Sequence, residues 1–555
     1  MATKEKFYIT TSIPYLNAPP HLGFALEAVQ ADIIARYQRL LGKDVFFLSG
    51  TDEHGAKVAR TAASAQKTPQ EFVDNLAKIF QELLKKLNIS NDDFIRTSNP
   101  KRHWPGAQLL WEKLKSASDI YKGLYKGLYC VGHEAFITEK DMFGGVCATH
   151  KTKPEELEEE NYFFKLSKYI NRLRDAISKE EIKIIPDYRK NETLNMLVEI
   201  GDVSFSRPSK DISWGVPVPG DATQTMYVWC DALSNYITAL GFGNKNIATT
   251  PPTPLLTEEG GEGGRLFPVV GSWKLEAGSQ ALFERFWPAD IHVVGKDIMK
   301  FHTIFWPAML MSAGLPLPKT IFVHGWISVK GEKMSKSIGN VVDPFPLMEK
   351  YSAEAVRFYL AHEISTFSDS DYSEKHFENI YNGLLVNGLG NLLARTLKMM
   401  SLYPAISKPE EGALARYPIK KNLEFLASGE KKQWEFEQAS PVFVVDNILW
   451  LAYQKAISAY DISQAIKNIW IYLGRLDEYI EEYKLYKMIK SRPEEAKVVL
   501  WHLAYSLASC AWMLKPFMPE TADKILSALG VDPNSREPWT NFSAKETPHL
   551  FPRIK

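Results

Sequence analysis

Three groups of side chains in this sequence have types and spacing suited to chemistry. The first is at His21-Leu22-Gly23-Phe24, just after Pro19 and Pro20. From His21 the apolar residues Leu22, Ala25, Leu26, Val29, Ile33 and Ile34 recur at helical spacing. A helix starting there turns unpaired N–H groups and a positive dipole end toward an anion. His21 adds an imidazole, and Gly23, without a Cβ, lets a flat ligand lie against the backbone. The second group is Lys333-Met334-Ser335-Lys336-Ser337, two ammonium groups on a loop that follows Gly331. The third is Cys130-x-x-His133 and Cys147-x-x-His150, with thirteen residues between the pairs. Four soft or borderline donors at knuckle spacing are enough for a closed tetrahedral zinc site, which would be structural. A bare His-x-Gly-x is usually an accident of a helix start, and a lysine string is usually a solvated loop. Their weight depends on what positions them.

The elements that would do so are legible in outline. Phe7 to Ile13 reads as a strand broken by Pro14, and Asp44 to Gly50 as a buried strand leading to the loop Thr51-Asp52-Glu53-His54-Gly55. Ligands in such sheets sit beyond the carboxyl ends of the strands. Thr68 to Leu87 reads as an amphipathic helix opened by a Thr-Pro pair. Lys122 to Cys130 alternates, and from there to about Gly220 the chain reads as an insertion between two halves of a sheet. Met226-Tyr227-Val228-Trp229 is expected to return to the sheet, and Asp231 to Leu240 to begin a helix. Residues 241–285, with Thr249-Thr250-Pro251-Pro252 and Gly260-Gly261-Glu262-Gly263-Gly264, have the composition of a surface linker. Ile291 to Asp297 and Thr320 to Trp326 read as further strand–turn units. From Tyr381 onward the pattern is helical, with few strand signals.

The two signatures together resemble those of class I aminoacyl-tRNA synthetases. Ile13-Pro14-Tyr15, Gly50-Thr51-Asp52-Glu53-His54-Gly55 and Trp229-Cys230-Asp231-Ala232-Leu233-Ser234-Asn235-Tyr236 narrow the resemblance to the methionyl-tRNA synthetase family, over nearly the whole chain. It implies an α/β fold: a Rossmann-type parallel sheet split by a zinc-knuckle connective insertion, followed by a C-terminal α-helical anticodon-binding bundle. The expected division is 1–116 and 223–326 for the two catalytic halves and 117–222 for the insertion. Residues 327–378 would form the lysine loop and a connecting stem-contact unit, and 379–555 the anticodon-binding domain.

The implied reaction is attack of the methionine carboxylate on the α-phosphate of ATP, then transfer of the methionyl group to tRNA(Met). The nucleophile is already ionised, so no base is required. The work is positioning, and neutralising charge that grows on phosphate oxygens. His21, Lys333 and Lys336 fit that task, with Mg2+ accompanying ATP and Ser335 beside the lysines. By the same resemblance Gly23, Phe24, Glu27, Gly295, Asp297 and Ile298 hold ATP, with Glu27, Gly295 and Asp297 at the ribose and Ile298 at the adenine. Phe24 is a departure, because the family usually has a second histidine there. A phenyl ring stacks on adenine but donates nothing to phosphate.

Methionine offers few polar handles, so a selective pocket should be aromatic and shape-fitted. Tyr15, Trp229, Ala232, Leu233, Tyr236 and His302 match the family's pocket positions, with Ile13 at the backbone and Asp52 for the ammonium group. Ordinary core packing is an equal reading for Trp306. Asn391 and Arg395 match anticodon readers, although a surface salt bridge would also explain Arg395. Tyr486 stands where the family has a tryptophan, and its ring could stack on a base. In the knuckle, His133 replaces the family's usual second cysteine.

At 555 residues, 45% apolar, the chain has length for about three or four folding units with real cores. A formal net charge of zero speaks against a general nucleic-acid coat protein. No signal peptide and no membrane span is evident, and four cysteines make no disulfide framework. A cytoplasmic protein without membrane contact is expected. It is expected to be a monomer, since nothing corresponds to the barrel that dimerises some family members. Leucyl, isoleucyl and valyl enzymes need a larger editing insertion than the stretch from Tyr121 to Gly220. A cysteinyl enzyme would draw its zinc ligands from the sheet. A small-molecule nucleotidyltransferase would have no use for the helical bundle, and a silent tRNA-binding relative has Phe24 as its only support.

Overall fold

The structure, a computed structural model, describes residues 4–130, 135–137, 141–149, 151–244, 280–334, 339–419, 423–427, 430–434, 439–535 and 539–554. His133, His150, Ser335, Lys336 and most of the 241–285 stretch lie outside the described residues. The chain divides into two compact units. The first comprises Met1–Pro20, Leu41–Glu82 and Ser90–His324, the second His21–Leu40, Leu83–Ile89 and Gly325–Lys555.

The first unit is built on a six-stranded sheet in the order Asp93–Arg96, Asp44–Thr51, Lys6–Thr11, Ile291–Gly295, Thr320–His324, Lys183–Ile185. Every neighbouring pair is parallel. Asp44–Thr51, Ile291–Gly295 and Thr320–His324 are buried along their whole length. That is why they read as continuous apolar runs and not as alternations. Strand order reverses between Lys6–Thr11 and Ile291–Gly295, where Ser12 N donates to Val293 O at 3.0 Å. In an open α/β sheet that switch point is where ligands bind. Ile13 and Gly295 stand at the carboxyl ends of those two strands.

Two departures from the expected layout lie between the halves. Met226-Tyr227-Val228-Trp229 does not rejoin the parallel sheet. Asp221–Met226 pairs antiparallel with Ser206–Pro208 and Pro217–Val218 in a separate sheet, and Val228–Leu233 is already helix. The sixth parallel strand is instead Lys183–Ile185, from within residues 117–222. That stretch also forms a long antiparallel pair, Ile120–Cys130 with Glu155–Phe164.

The second unit is mainly helical. Asp343 caps Pro344–Tyr351, and the Ser352 hydroxyl accepts from Ala355 N to cap Ala353–His362. Arg357 on the latter helix is fully buried. It donates to Leu87 O at 3.0 Å, Pro516 O at 2.9 Å and Phe517 O at 2.8 Å, and pairs with Asp32 at 2.7 Å. Asp32 lies on Leu22–Leu40, so one guanidinium ties three segments of the unit together. The described residues from Tyr381 onward are mainly helical, with antiparallel pairs of Leu423–Ala427 with Glu430–Trp434 and Ile406–Ser407 with Asn541–Phe542, and a bridge of Ile419 with Ala439. One stretch does reach the length and apolarity of a membrane span. Helix Pro493–Leu514 has most of its apolar window buried inside the protein, as a core helix does.

Candidate active site

At the end of Lys6–Thr11 the chain turns, and Tyr15 pairs with Asp52 through Leu16 N to Asp52 O at 2.9 Å and Asp52 N to Pro14 O at 3.0 Å. Ile13, Tyr15 and Asp52 are therefore held together, with Asp52 buried. Gly50 is required beneath them, since a Cβ there would lie 2.3 Å from Ile95 O. The next residue after Asp52 anchors the loop. Glu53 is buried and takes a two-pronged contact from Arg96 at 2.7 and 2.9 Å, with Ser98 and Thr51 also donating.

The aromatic residues expected to form a pocket converge in the same unit. Tyr236 OH meets His302 Nε2 at 2.6 Å, and His302 Nδ1 donates to Ile298 O at 2.9 Å. In a neutral ring this makes Nε2 the acceptor and the tyrosine hydroxyl the donor. His302 lies on a π-helical turn, Phe301–Phe305, a geometry frequent at functional sites. Trp229 stacks on Phe301 with ring centroids 3.6 Å apart and planes 8° from parallel. Ala232 and Leu233 are buried beside it. Trp306 is core: fully buried, it donates to His292 Nε2 at 3.3 Å. His292, which the sequence marked only as part of a strand, packs 4.3 Å from the Tyr236 ring. Burial, and then His302, hold its pKa well below the ordinary value, so it stays neutral.

Gly295 and the short turn Lys296–Ile298 follow the fourth strand in order. A Cβ on Gly295 would sit 2.9 Å from Asp297 Oδ1 and 3.6 Å from the His324 ring, so only glycine leaves that surface flat.

In the second unit, His21 precedes helix Leu22–Leu40, and its carbonyl accepts from Phe24 N and Ala25 N. Its Nδ1 accepts from Gly23 N at 3.0 Å, which leaves the proton of the neutral ring on Nε2. Phe24 and Glu27 are buried on the first turns. Leu22 N donates to Val342 O at 2.9 Å, and a Cβ on Gly23 would lie 3.6 Å from Met334 Cε. The two signatures, more than three hundred residues apart in sequence, are thus neighbours in this unit. Lys333 is exposed, its ammonium 3.8 Å from the centroid of Trp326. The loop base is pinned by Asp371, which accepts from Gly331 N at 2.9 Å and Ser328 Oγ at 2.8 Å.

Asn391 is exposed and Arg395 half-buried on helix Asn391–Met400. Arg395 is paired with Asp477 at 2.7 Å and with Glu481, so both readings of it remain on the same residue. Tyr486 is exposed on Leu485–Ser491. Cys130 and Cys147 are fully buried in one small cluster with Ile137. Among the described residues, no group of three or more histidine, cysteine or acidic side chains is close enough to hold a metal.

One constellation was not anticipated. Asp231, on the helix of Trp229, is 1% exposed. Its Oδ2 accepts from His54 Nδ1 and its Oδ1 from His103 Nε2, both at 2.6 Å. Burial pushes its pKa up, but the two imidazoles outweigh it and hold the carboxyl down at about 2. An open groove of about 570 Å3, lined by Tyr169, Arg172, Glu181 and Met311, contains none of the residues above.

A family model described as "tRNA synthetases class I (M)" matches residues 7–149 and 139–397. The methionine–tRNA ligase of Listeria monocytogenes serotype 4b is 37% identical over the whole chain, covering 78% of that relative. The one from Clostridium tetani is 38% identical over 99% of the chain and 79% of the relative. A solved Mycobacterium tuberculosis methionyl-tRNA synthetase in complex with methionyl-adenylate superposes with a TM-score of 0.81 at 34% identity, covering 96% of this chain and 95% of that one. The apo form of the same enzyme gives 0.77 at 31% identity, covering 100% and 99%.

Proposed function

The chain belongs to the methionine-specific class I tRNA synthetases, and from that premise we propose how its residues divide the work. It activates methionine with ATP and charges tRNA. The methionine carboxylate attacks the α-phosphorus and pyrophosphate leaves; a tRNA terminal hydroxyl then attacks the acyl carbon and AMP leaves.

In this reading Asp52 takes the ammonium group, with Ile13 and Tyr15 beside it. Trp229, Ala232, Leu233, Tyr236 and His302 enclose the thioether. With its hydroxyl proton engaged by His302, Tyr236 offers a ring face against which a polarizable thioether packs. His21 donates from Nε2, and Lys333 and Lys336 supply the charge that neutralises the leaving pyrophosphate. Gly23, Phe24 and Ser335 line the nucleotide, Glu27, Gly295 and Asp297 its ribose, and Ile298 its base. Mg2+ would enter as counter-ion to the phosphates. The observation that carries the assignment is the proximity of the His21 turn to Met334 of the lysine loop.

Asn391, Arg395 and Tyr486 are assigned to the anticodon of tRNA(Met). Arg395 would exchange its acidic partners for a nucleotide. Cys130 and Cys147, with His133 and His150, are assigned to one structural zinc ion within a connective insertion. Burial of both thiols in one cluster fits that donor set. Four buried, unbridged cysteines support a reducing, cytoplasmic setting. A monomer without membrane contact is expected in solution.

Pyrophosphate exchange measured separately with methionine, leucine, isoleucine, valine and cysteine tests the pocket. Exchange with methionine alone is expected, and exchange driven by another of these amino acids would reject the assignment.

A further inference from the structure

The groups assigned to methionine arrive on separate pieces of chain. Asp52 is on the loop after Asp44–Thr51, whereas Trp229 and Tyr236 are on the short helices Val228–Leu233 and Asn235–Thr238. A selective pocket needs a fixed span between the ammonium site and the thioether wall, because methionine's three flexible bonds will otherwise accommodate slack. One buried cluster joins these pieces. His54, two residues beyond Asp52, donates to one oxygen of Asp231 at 2.6 Å. His103, from the start of helix Trp104–Ser116, donates to the other at 2.6 Å. The remaining His103 nitrogen meets Thr238 Oγ1 at 2.8 Å, two residues past Tyr236. The His54 ring is held between Trp104 and Trp214, with centroids 6.0 and 5.3 Å away.

We propose that Asp231, clasped by His54 and His103, is a positioning residue that sets the distance between the ammonium reader and the thioether pocket. The proposal rests on the assignment of Asp52, Trp229 and Tyr236 to methionine. Asp231 acts through the residues it holds and touches no substrate. His54 borders a cavity of only about 10 Å3, with Trp214, Met226 and Tyr227, which is room for one water and nothing larger. Two charge-assisted bonds to one carboxylate resist both rotation and sliding of the pocket helix. A purely structural acid would lower stability without distinguishing one substrate from another.

The test is Asp231→Asn in the full chain, which keeps the shape but offers a donor where a histidine also donates. The KM for methionine in pyrophosphate exchange should rise roughly 10- to 100-fold, while kcat at saturating methionine and KM for ATP move less than about threefold. Ethionine should gain on methionine as a substrate. An unchanged methionine KM with a lowered melting temperature overturns the proposal. Should Asp231→Asn fail to fold, Thr238→Val removes the His103 contact together with a longer, 3.4 Å bond to Asn235 O. It should still raise methionine KM several-fold and leave ATP untouched, and no change there also overturns the proposal. Asp52→Asn and Trp229→Ala run alongside: if neither alters methionine KM, the pocket assignment has failed, independently of Asp231.

Discussion

Replacing Arg357 with methionine keeps the stem packed and deletes four polar contacts at once. Leu87 O, Pro516 O and Phe517 O would each lose a donor inside the protein, and Asp32 would lose its buried guanidinium while keeping Arg36 at 2.7 Å. Burial draws the Arg357 pKa down and Asp32 opposes this, yet a guanidinium remains charged throughout the working range. A buried acceptor left without a partner costs about 1–3 kcal/mol, and breaking one side of a buried ion pair about 3–5 kcal/mol. At their lower limits these losses would sum to about 6 kcal/mol, and because relaxation after the first loss shelters part of the others, about 4 kcal/mol or more is expected in total. That is a large part of the roughly 5–15 kcal/mol that holds a domain folded. Urea unfolding followed by circular dichroism should show the midpoint falling for Arg357→Met. Arg357→Lys should recover less than half, since an ammonium cannot reach acceptors in four directions. A loss below about 1 kcal/mol for Arg357→Met would refute the reasoning, because it would mean the carbonyls find water as readily as they find the guanidinium.

Other outcomes are open to direct measurement. Lys336→Ala should cut methionine-dependent pyrophosphate exchange by about 100-fold or more while leaving methionine affinity nearly intact, and an unaltered rate would remove that lysine from the chemistry. His502 is buried, its Nδ1 bonded to Tyr479 OH at 2.9 Å, and burial holds its pKa down at about 3. The unfolded chain takes up that proton below about pH 6.5 and the folded chain does not, so the stability from this group is full above about 6.5 and drains away toward pH 3. Urea midpoints from pH 7 to 4.5 should therefore fall less steeply for His502→Leu than for the parent, and parallel slopes would exclude the imidazole as the cause. Metal analysis of the purified chain should find about one zinc per molecule, and Cys147→Ser should lower that content while the parallel sheet's circular dichroism persists. Equal zinc in both proteins would exclude Cys147 as a ligand.

The parallel core was legible because its strands are buried on both faces and so spell themselves as apolar runs. The helix at Leu22 was legible because prolines and a periodic apolar stripe bracket its start. The edge strand Lys183–Ile185 carried no such mark. It is three residues long, and its partner among the described residues, Thr320–His324, lies far along the chain. Met226 to Trp229 misled for the opposite reason: a β-branched and aromatic tetrad fits an antiparallel strand end and a helix start as well as a central strand. The candidate pocket residues could be named from their resemblance; Asp231 stands in the same stretch, yet no role for it could be read there. Its partners are 177 and 128 residues away, and a lone carboxylate in an apolar helix has no local signature of being clasped.

Lys333 rests 3.8 Å above the indole of Trp326. An ammonium perched on a ring at the surface is worth about 0.5–1 kcal/mol, so under the role proposed for Lys333 a nucleotide would first have to lift it off. The resting perch would then act as a mild brake on capture, worth roughly a two- to fivefold weakening of apparent affinity. It also keeps the cation from wandering into solvent between turnovers, so a phenylalanine at position 326, which grips less firmly, would trade a slower-found lysine for a tighter first encounter.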